Sequence, residues 1–528
     1  MSSPSERREG HVDLSGLTRR DVLVAAGAAA TAITLAPYWA LAATPQGQLT
    51  WGIHVSLAPT WFDPAETPGI ITPFMVLFAL HDAMVKPMPG QPLAPCLAES
   101  FSASEDGLVY EFVLRKGAKF HNGDPVTAED VKYSFERYRG ASHDLIKDRV
   151  AAVETPDPEQ VRFQLKAPWP DFLTFYAIAT GAGWIVPKKY VETVGDDGFK
   201  KAPIGAGPYK FASFTPGVEL VLQAFDQYWR KTPSVKRLVF KSIPEETTRL
   251  AALQRGEVDI VYSIRGELAE ELRRTPGLTL KPVSPPAPFW IYFPDQWDPK
   301  SPWHDERVRR AASLAIDREG MNEAITLGYS KITGSIIPYS FEFFWQPPLP
   351  TYDPVKSKQL LAEAGYPNGF DAGEFYCDSS YSNVGEAVLD NFQAAGIRAK
   401  LRPLERAAFI EAYTRKKLKN LILGGSGAFG NAATRFETYV VKGGANVYGS
   451  YPDIDALDQQ QAVELDRKKR AEILKQMQQI LAERTIYAPI WQLGFINGAG
   501  PRVGESGFGL IQDFAYTGPY EDITIKGT

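Results

Sequence analysis

Only two cysteines occur in 528 residues, Cys96 and Cys377, about 280 positions apart. Structural zinc sites and disulfide frameworks need several cysteines at close spacing, so neither organises this chain. One long-range disulfide or two buried thiols remain as readings. The six histidines, His11, His54, His81, His121, His143 and His304, include no pair four residues apart and no HExxH. A metal centre has no support in that pattern. Positive charge is not in excess either: 57 Lys and Arg face 62 Asp and Glu, for a formal net charge of -5. That balance argues against sequence-independent capture of nucleic acid, which relies on a basic surface. No GxxxxGK[ST] phosphate loop is present, and Gly424-Gly425-Ser426-Gly427-Ala428 misses a GxSxG nucleophile elbow at its last residue. Nucleotide hydrolysis and acyl transfer lose their usual sequence signals, and we assign no catalytic residue and no cofactor.

What the chain has is the composition of a soluble globular protein, 44% hydrophobic and 23% charged, long enough for two or three domains. Its 41 prolines and 44 glycines suggest many turns and long connections.

The N-terminus reads as an export signal. A polar, arginine-containing stretch leads into an apolar run over residues 22–36, and the small-residue site Ala40-Leu41-Ala42 follows. Thr18-Arg19-Arg20-Asp21-Val22-Leu23 resembles the twin-arginine export motif, with Val22 where Phe is usual. The apolar run is shorter than the roughly 20 residues a spanning helix needs, and Pro37 ends it. Cleavage after about residue 43, release into the periplasm and a monomer are the expectations.

Further along, hydrophobic spacing alternates between two and about 3.6, the mark of mixed α/β structure. Tyr110, Phe112 and Leu114 share one strand face between the Asp106-Gly107 and Lys116-Gly117 turns. Thr127 and Asp130 form a capping box before a helix with Val131, Phe135 and Tyr138 on one stripe. Asp305 caps a helix burying Val308, Ala311, Ala312 and Ala315. Asp353-Pro354 opens another, over Leu360, Leu361 and Ala364, which Gly365 stops. A helix over residues 384–395 closes at Gly396 before the strand containing Ile397, Ala399 and Leu401. Asp466 opens the last long helix, with Ile473, Met477, Ile480 and Leu481 at helical spacing. The proline-rich stretch 282–302 carries Phe289, Trp290, Tyr292, Phe293 and Trp297, which need apolar surroundings, and it is the expected crossing between lobes.

One motif matches on its face. Gly425-Ser426-Gly427-Ala428-Phe429-Gly430 is a GxGxxG after an apolar strand. A dinucleotide site would also need an acid ending a second strand some 20 residues on. The candidates Asp453 and Asp455 follow Tyr451-Pro452, which reads as turn sequence. The blander reading is a glycine loop where backbone approaches a ligand or another strand.

Several motifs then occur in a fixed order. They are Leu97-Ala98-Glu99-Ser100-Phe101, Phe112-Val113-Leu114-Arg115-Lys116-Gly117, Lys119-Phe120-His121-Asn122-Gly123 and Gly205-Ala206-Gly207-Pro208-Tyr209, followed by Arg307-Val308-Arg309-Arg310-Ala311 and Leu360-Leu361-Ala362-Glu363-Ala364-Gly365-Tyr366. This series resembles the family 5 extracellular solute-binding proteins of ABC transporters, the oligopeptide, dipeptide, nickel and opine class. The resemblance implies an α/β, two-lobed periplasmic binding protein fold (type II, cluster C) with an extra subdomain in lobe 1. It places the lobe 1 core at 44–80, 203–290 and 492–528, the extra subdomain at 81–202 and lobe 2 at 291–491. It implies capture of a small-molecule, peptide or opine-like ligand between the lobes and delivery to ABC transporter permease subunits in the inner membrane. A chemoreceptor partner and an exported cofactor-binding enzyme are the alternatives.

The resemblance also points to the cleft-lining residues. These are Trp290 and Tyr292 on the strand entering lobe 2, and Ser426, Phe429, Asn431 and Arg435 in the segment after a lobe 2 strand. Pro294 stands where the family usually has Asn. No aspartate occurs between 425 and 439, although peptide-binding members carry one there for the peptide amino group. Arg435 either pairs with a ligand carboxylate or forms a surface ion pair with Glu437 or another acid. Trp290 and Tyr292 either line the cleft or belong to the core.

Overall fold

A computed structural model describes residues 45–67, 72–425, 430–514 and 516–527. Residues 1–43, read above as an export signal, and Ser426 and Phe429 lie outside the described residues.

Two mixed sheets organise the chain. The first has seven strands, in the order Tyr209–Thr215, Glu219–Ala224, Val235–Ser242, Gln46–Ile53, Ile260–Val261, Phe495–Ala499 and Thr279–Val283. The second has six, in the order Lys331–Ile332, Tyr487–Gln492, Pro288–Tyr292, Leu421–Gly425, Phe370–Asp378 and Ile397–Leu404. A separate four-stranded antiparallel sheet, Ala98–Ala103, Val109–Leu114, Gln160–Leu165 and Val150–Asp157, packs on the helix Ala128–Glu136 around its own core.

Local sequence accounts for these elements. In Val109–Leu114 the alternate residues Tyr110, Phe112 and Leu114 are buried. The capping box at Thr127 forms, with Asp130 accepting from the Thr127 backbone N–H at 2.9 Å. Asp305, Asp353 and Asp466 each cap the helix that follows. Gly396 ends Ser382–Ala395 at φ 98°, the left-handed region that favours glycine.

One expectation needs correction. Tyr451-Pro452 is not a turn: Pro452 occupies the first turn of the helix Pro452–Gln461, where its fixed φ and missing N–H cost nothing. On Arg467–Glu483 the spaced residues Ile473, Met477, Ile480 and Leu481 all pack on the core, and Arg470, Leu474 and Gln478 are buried beside them. Arg470 turns inward because a buried carboxylate, Asp171, pairs with it.

The chain passes between the two large sheets at two adjoining places. Residues 284–287 join Thr279–Val283 to Pro288–Tyr292, and residues 493–494 join Tyr487–Gln492 to Phe495–Ala499. Leu493 N–H donates to the Ala287 carbonyl at 2.9 Å, so the crossings lie side by side. Cys96 and Cys377 are both buried and unpaired.

Candidate functional site

In α/β sheets, ligands sit outside the carboxyl ends of parallel strands. Gln46–Ile53 ends at His54 in the seven-stranded sheet. In the other sheet, Phe370–Asp378 runs parallel to both Ile397–Leu404 and Leu421–Gly425. These strands end at Asp378, just before Arg406, and at Gly425. The ends meet across a cavity of about 130 Å³ whose lining includes His54, Phe289, Tyr381, Arg406, Phe409 and Tyr516. It thus takes residues from both lobes. A roomier hollow of about 250 Å³ lies under the run Pro347-Pro348-Leu349-Pro350, against Gln478 and Tyr487. Its lining comes from one lobe, so an occupant there could not bridge the two.

The strand Pro288–Tyr292 divides its aromatics between two environments. Phe289 lines the cavity. Trp290 and Tyr292, one face as alternation requires, point into the core of the second lobe. There Trp290 stands edge-on to Tyr439 at 5.2 Å, and Tyr292 stacks on Tyr487 at 4.9 Å. Both are at most 1% exposed.

The neighbouring strand explains two glycines. Phe289 pairs with Gly425 and Trp290 with Gly424. A Cβ on Gly424 would stand 2.5 Å from the Trp290 indole nitrogen, and one on Gly425 would stand 2.8 Å from the Phe289 ring. Each ring therefore lies against bare backbone. Gly430, at φ 140°, precedes the capping box of the next helix, and its Cβ would strike the Thr434 hydroxyl. Asp453 is paired with Arg484, while Asp455 accepts from Lys442 N–H and the Ser450 hydroxyl. Gly425 and Gly430 of the GxGxxG thus have packing reasons, and both acids have other partners.

Asn431 and Arg435 both lie beside inter-lobe contacts. Asn431 caps Ala432–Tyr439 through Thr434 N–H at 3.1 Å, and its amide donates to Asp171 at 2.5 Å. Arg435 is 1% exposed, which rules out the surface ion pair with Glu437. It donates to the Pro286 carbonyl in the first crossing at 3.1 Å, and its guanidinium lies over the rings of Phe341 and Tyr439. Burial lowers its pKa to about 10.

Three residues that the sequence reading passed over carry charge toward the cavity. Arg406 donates to Asp378 at 3.2 Å. Arg265 reaches across the gap to the Ser380 carbonyl at 3.1 Å. Arg249 is buried and gives its N–H groups to the carbonyls of Ile243, Pro244, Tyr262 and Ser263. Burial and then these three guanidiniums hold the His54 pKa well below its usual value, so His54 is neutral near pH 7. No local motif marks these residues; strand ends distant in sequence bring them together. Among the described residues no group of three or more His, Cys, Asp or Glu side chains could hold a metal ion, and no helix is long and apolar enough to cross a membrane.

Two lobes joined by paired crossings, with a cavity at the strand ends between them, are the architecture of a type II periplasmic binding protein. The model of the bacterial extracellular solute-binding proteins, family 5, middle region, matches residues 92–447. The chain belongs to that family. Among curated relatives it is 29% identical over 332 residues to the glutathione-binding protein GsiB of Salmonella choleraesuis, a match covering 61% of this chain and 64% of that protein's own length. It is 26% identical over 441 residues to heme-binding protein A of Haemophilus influenzae, covering 75% and 78% of the two chains. Among solved structures, AgaA of A. tumefaciens R10 in complex with agropinic acid superposes with a TM-score of 0.75 at 26% identity, covering 91% of this chain and 98% of that one. CtaP of Listeria monocytogenes superposes at 0.79 with 21% identity, covering 91% and 100%.

Proposed function

We propose that this chain is the solute-binding component of an ABC importer. It takes up a peptide-like or opine-like solute in the cavity between its lobes and presents the closed form to membrane permease subunits. The observation that carries this reading is the cavity itself, whose walls come from both sides of a two-strand joint. An occupant touching both walls favours the closed arrangement by its differential contacts, which converts binding into a change of shape. Relatives named for binding glutathione, heme and agropinic acid support the class.

In this reading the chain is exported through the twin-arginine signal of residues 1–43, works in the periplasm as a monomer and catalyses nothing. Lobe 1 comprises 44–80, 203–290 and 492–528, the extra subdomain 81–202 and lobe 2 291–491. Ser426 and Phe429, which follow cavity-lining Gly425, are assigned to ligand contact. Trp290, Tyr292, Asn431 and Arg435 support the site from behind, through the core, the Asp171 contact and the crossing.

Native mass spectrometry of the protein purified from the periplasmic fraction tests the reading. A stoichiometric small molecule released on denaturation is the expected result. A bound flavin or nicotinamide nucleotide would overturn it.

A further inference from the structure

Resting on that reading, we propose that the solute carries a carboxylate, seated between Arg406 on one lobe and His54 on the other, with its apolar body against Phe289, Phe409 and Tyr381. Three observations lead there.

The first is the supply of donors. A guanidinium has five N–H groups, and Arg406 donates to Asp378 at 3.2 Å and adjoins the Tyr381 side chain. Its side chain is 49% exposed, open to the cleft that it lines. His54 lines the cavity, and among the described residues its Nδ1 is buried without a hydrogen-bond partner; Arg265, whose Nε is likewise without one, is not part of the lining. Buried polar atoms are nearly always satisfied, and a ligand is one way to satisfy them.

The second is the charge balance. Arg249, Arg406 and Arg265 all lie near enough to His54 for their charge to act on it. The opposing carboxylates are Glu246, Asp378 and, toward solvent, Glu245. Glu245 is spent on the N–H groups of Thr247 and Thr248 at the start of its own helix. Glu246 accepts from the Arg265 backbone and lies 3.8 Å from its guanidinium. Arg249 bonds only carbonyl oxygens. The carboxylate lining the cavity, Asp378, is held by Arg406 and by Ser380 N–H at 2.9 Å. A cationic ligand group would have to displace Arg406 to reach it. An anionic group would find the N–H groups of Arg406 that Asp378 leaves over.

The third is the shape of the wall. Arg406 belongs to the second lobe and His54 to the first, so a carboxylate bridging them rewards closure, as does the existing Arg265–Ser380 contact. Apart from Thr72, the remaining side chains of the wall are aromatic and aliphatic and give an apolar body its burial.

The test titrates the full mature chain, freed of any bound solute, with matched pairs that differ in the charged end alone: phenylacetate against phenylacetamide, and N-acetylphenylalanine against its amide. Thermal shift and calorimetry read the binding. Each acid is expected to bind about tenfold or more tighter than its amide, because a charge-assisted bond to Arg406 is lost in the amide. Arg406→Gln should bring the two affinities together with its unliganded melt unchanged, and Arg406→Lys should restore part of the difference. Equal binding of acid and amide, acid binding undiminished in Arg406→Gln, or no shift with any acid at about 10 mM would overturn the proposal. Native mass spectrometry separates this failure from failure of the importer reading. A neutral solute carried through purification removes the carboxylate and leaves the importer, whereas a bound flavin or nicotinamide nucleotide removes the importer.

Discussion

Two contacts cross between parts of this molecule, built from the same side-chain types and left in opposite states. At the first, Asp171 beside the four-stranded sheet accepts from Asn431 and pairs with Arg470, whose Nε and Nη2 also donate to the Gln461 side chain. Asp171 and Arg470 are 7% and 4% exposed. At the second, around His54, Arg265 and Arg406, donors outnumber the acceptors offered to them. A buried ion pair holds its geometry because losing one partner strands a charge away from water. An arginine left half in solvent costs little to leave unfilled, and it gains most when a ligand arrives. In the reading proposed above, the first contact serves stability and the second serves occupancy.

Substitutions should separate the two. Asp171→Ala strands the Arg470 charge and is expected to cost about 3–5 kcal/mol of stability, measured by urea unfolding. A loss below about 1 kcal/mol, the range of exposed pairs, would mean that the contact is open to solvent. Trp290→Ala removes a filled core position and should cost a comparable amount, about 3–5 kcal/mol. A Trp290→Ala protein that unfolds like wild type but loses solute would instead move Trp290 into the cleft.

Glu437 gives a smaller, pH-dependent effect. Burial, opposed by Arg149 and reinforced by Asp458 and Asp171, raises its carboxyl from the ordinary 4.5 to about 7. Between those values the folded state holds more protons than the unfolded state, so this group's contribution to stability falls as pH rises through the window. Glu437→Gln should remove that fall, and the stability difference between variant and wild type should grow by of order 2 kcal/mol from pH 4.5 to 7. A constant difference across that range would contradict the burial of the acid. Smallest of all, Arg406→Gln should change unfolding free energy by less than about 0.5 kcal/mol while its effect on solute binding is large. Equal losses in both would place Arg406 with Arg470 as a structural cation.

Much of the fold was legible because it is written locally. Caps at Asp305, Asp353 and Asp466, the box at Thr127 and the stop at Gly396 each specify an element within a few residues. The ordered motifs gave the family. The site was far less legible. Period-two alternation put Trp290 and Tyr292 on one face, but nothing in a strand buried on both faces says which side meets the cleft. Phe289 was the neighbour that did. His54, Arg265 and Arg406 carry no motif; they become a group because separate strands end at one place. Arg435 looked like a surface cation because its deep position depends on Phe341 and Pro286, about 90 and 150 positions away in sequence.

The paired crossings have a mechanical consequence. A lobe tethered by one segment can swivel as well as swing. Here two segments lie edge to edge, tied by the Leu493–Ala287 bond, and Pro285, Pro286 and Pro288 narrow the backbone torsions of one of them. Swivelling would shear that bond, so the soft motion left is a swing about one axis, as of a door on two pins. The outer faces of the two lobes then trace a single arc, and whatever reads the state of this protein has one angle to measure.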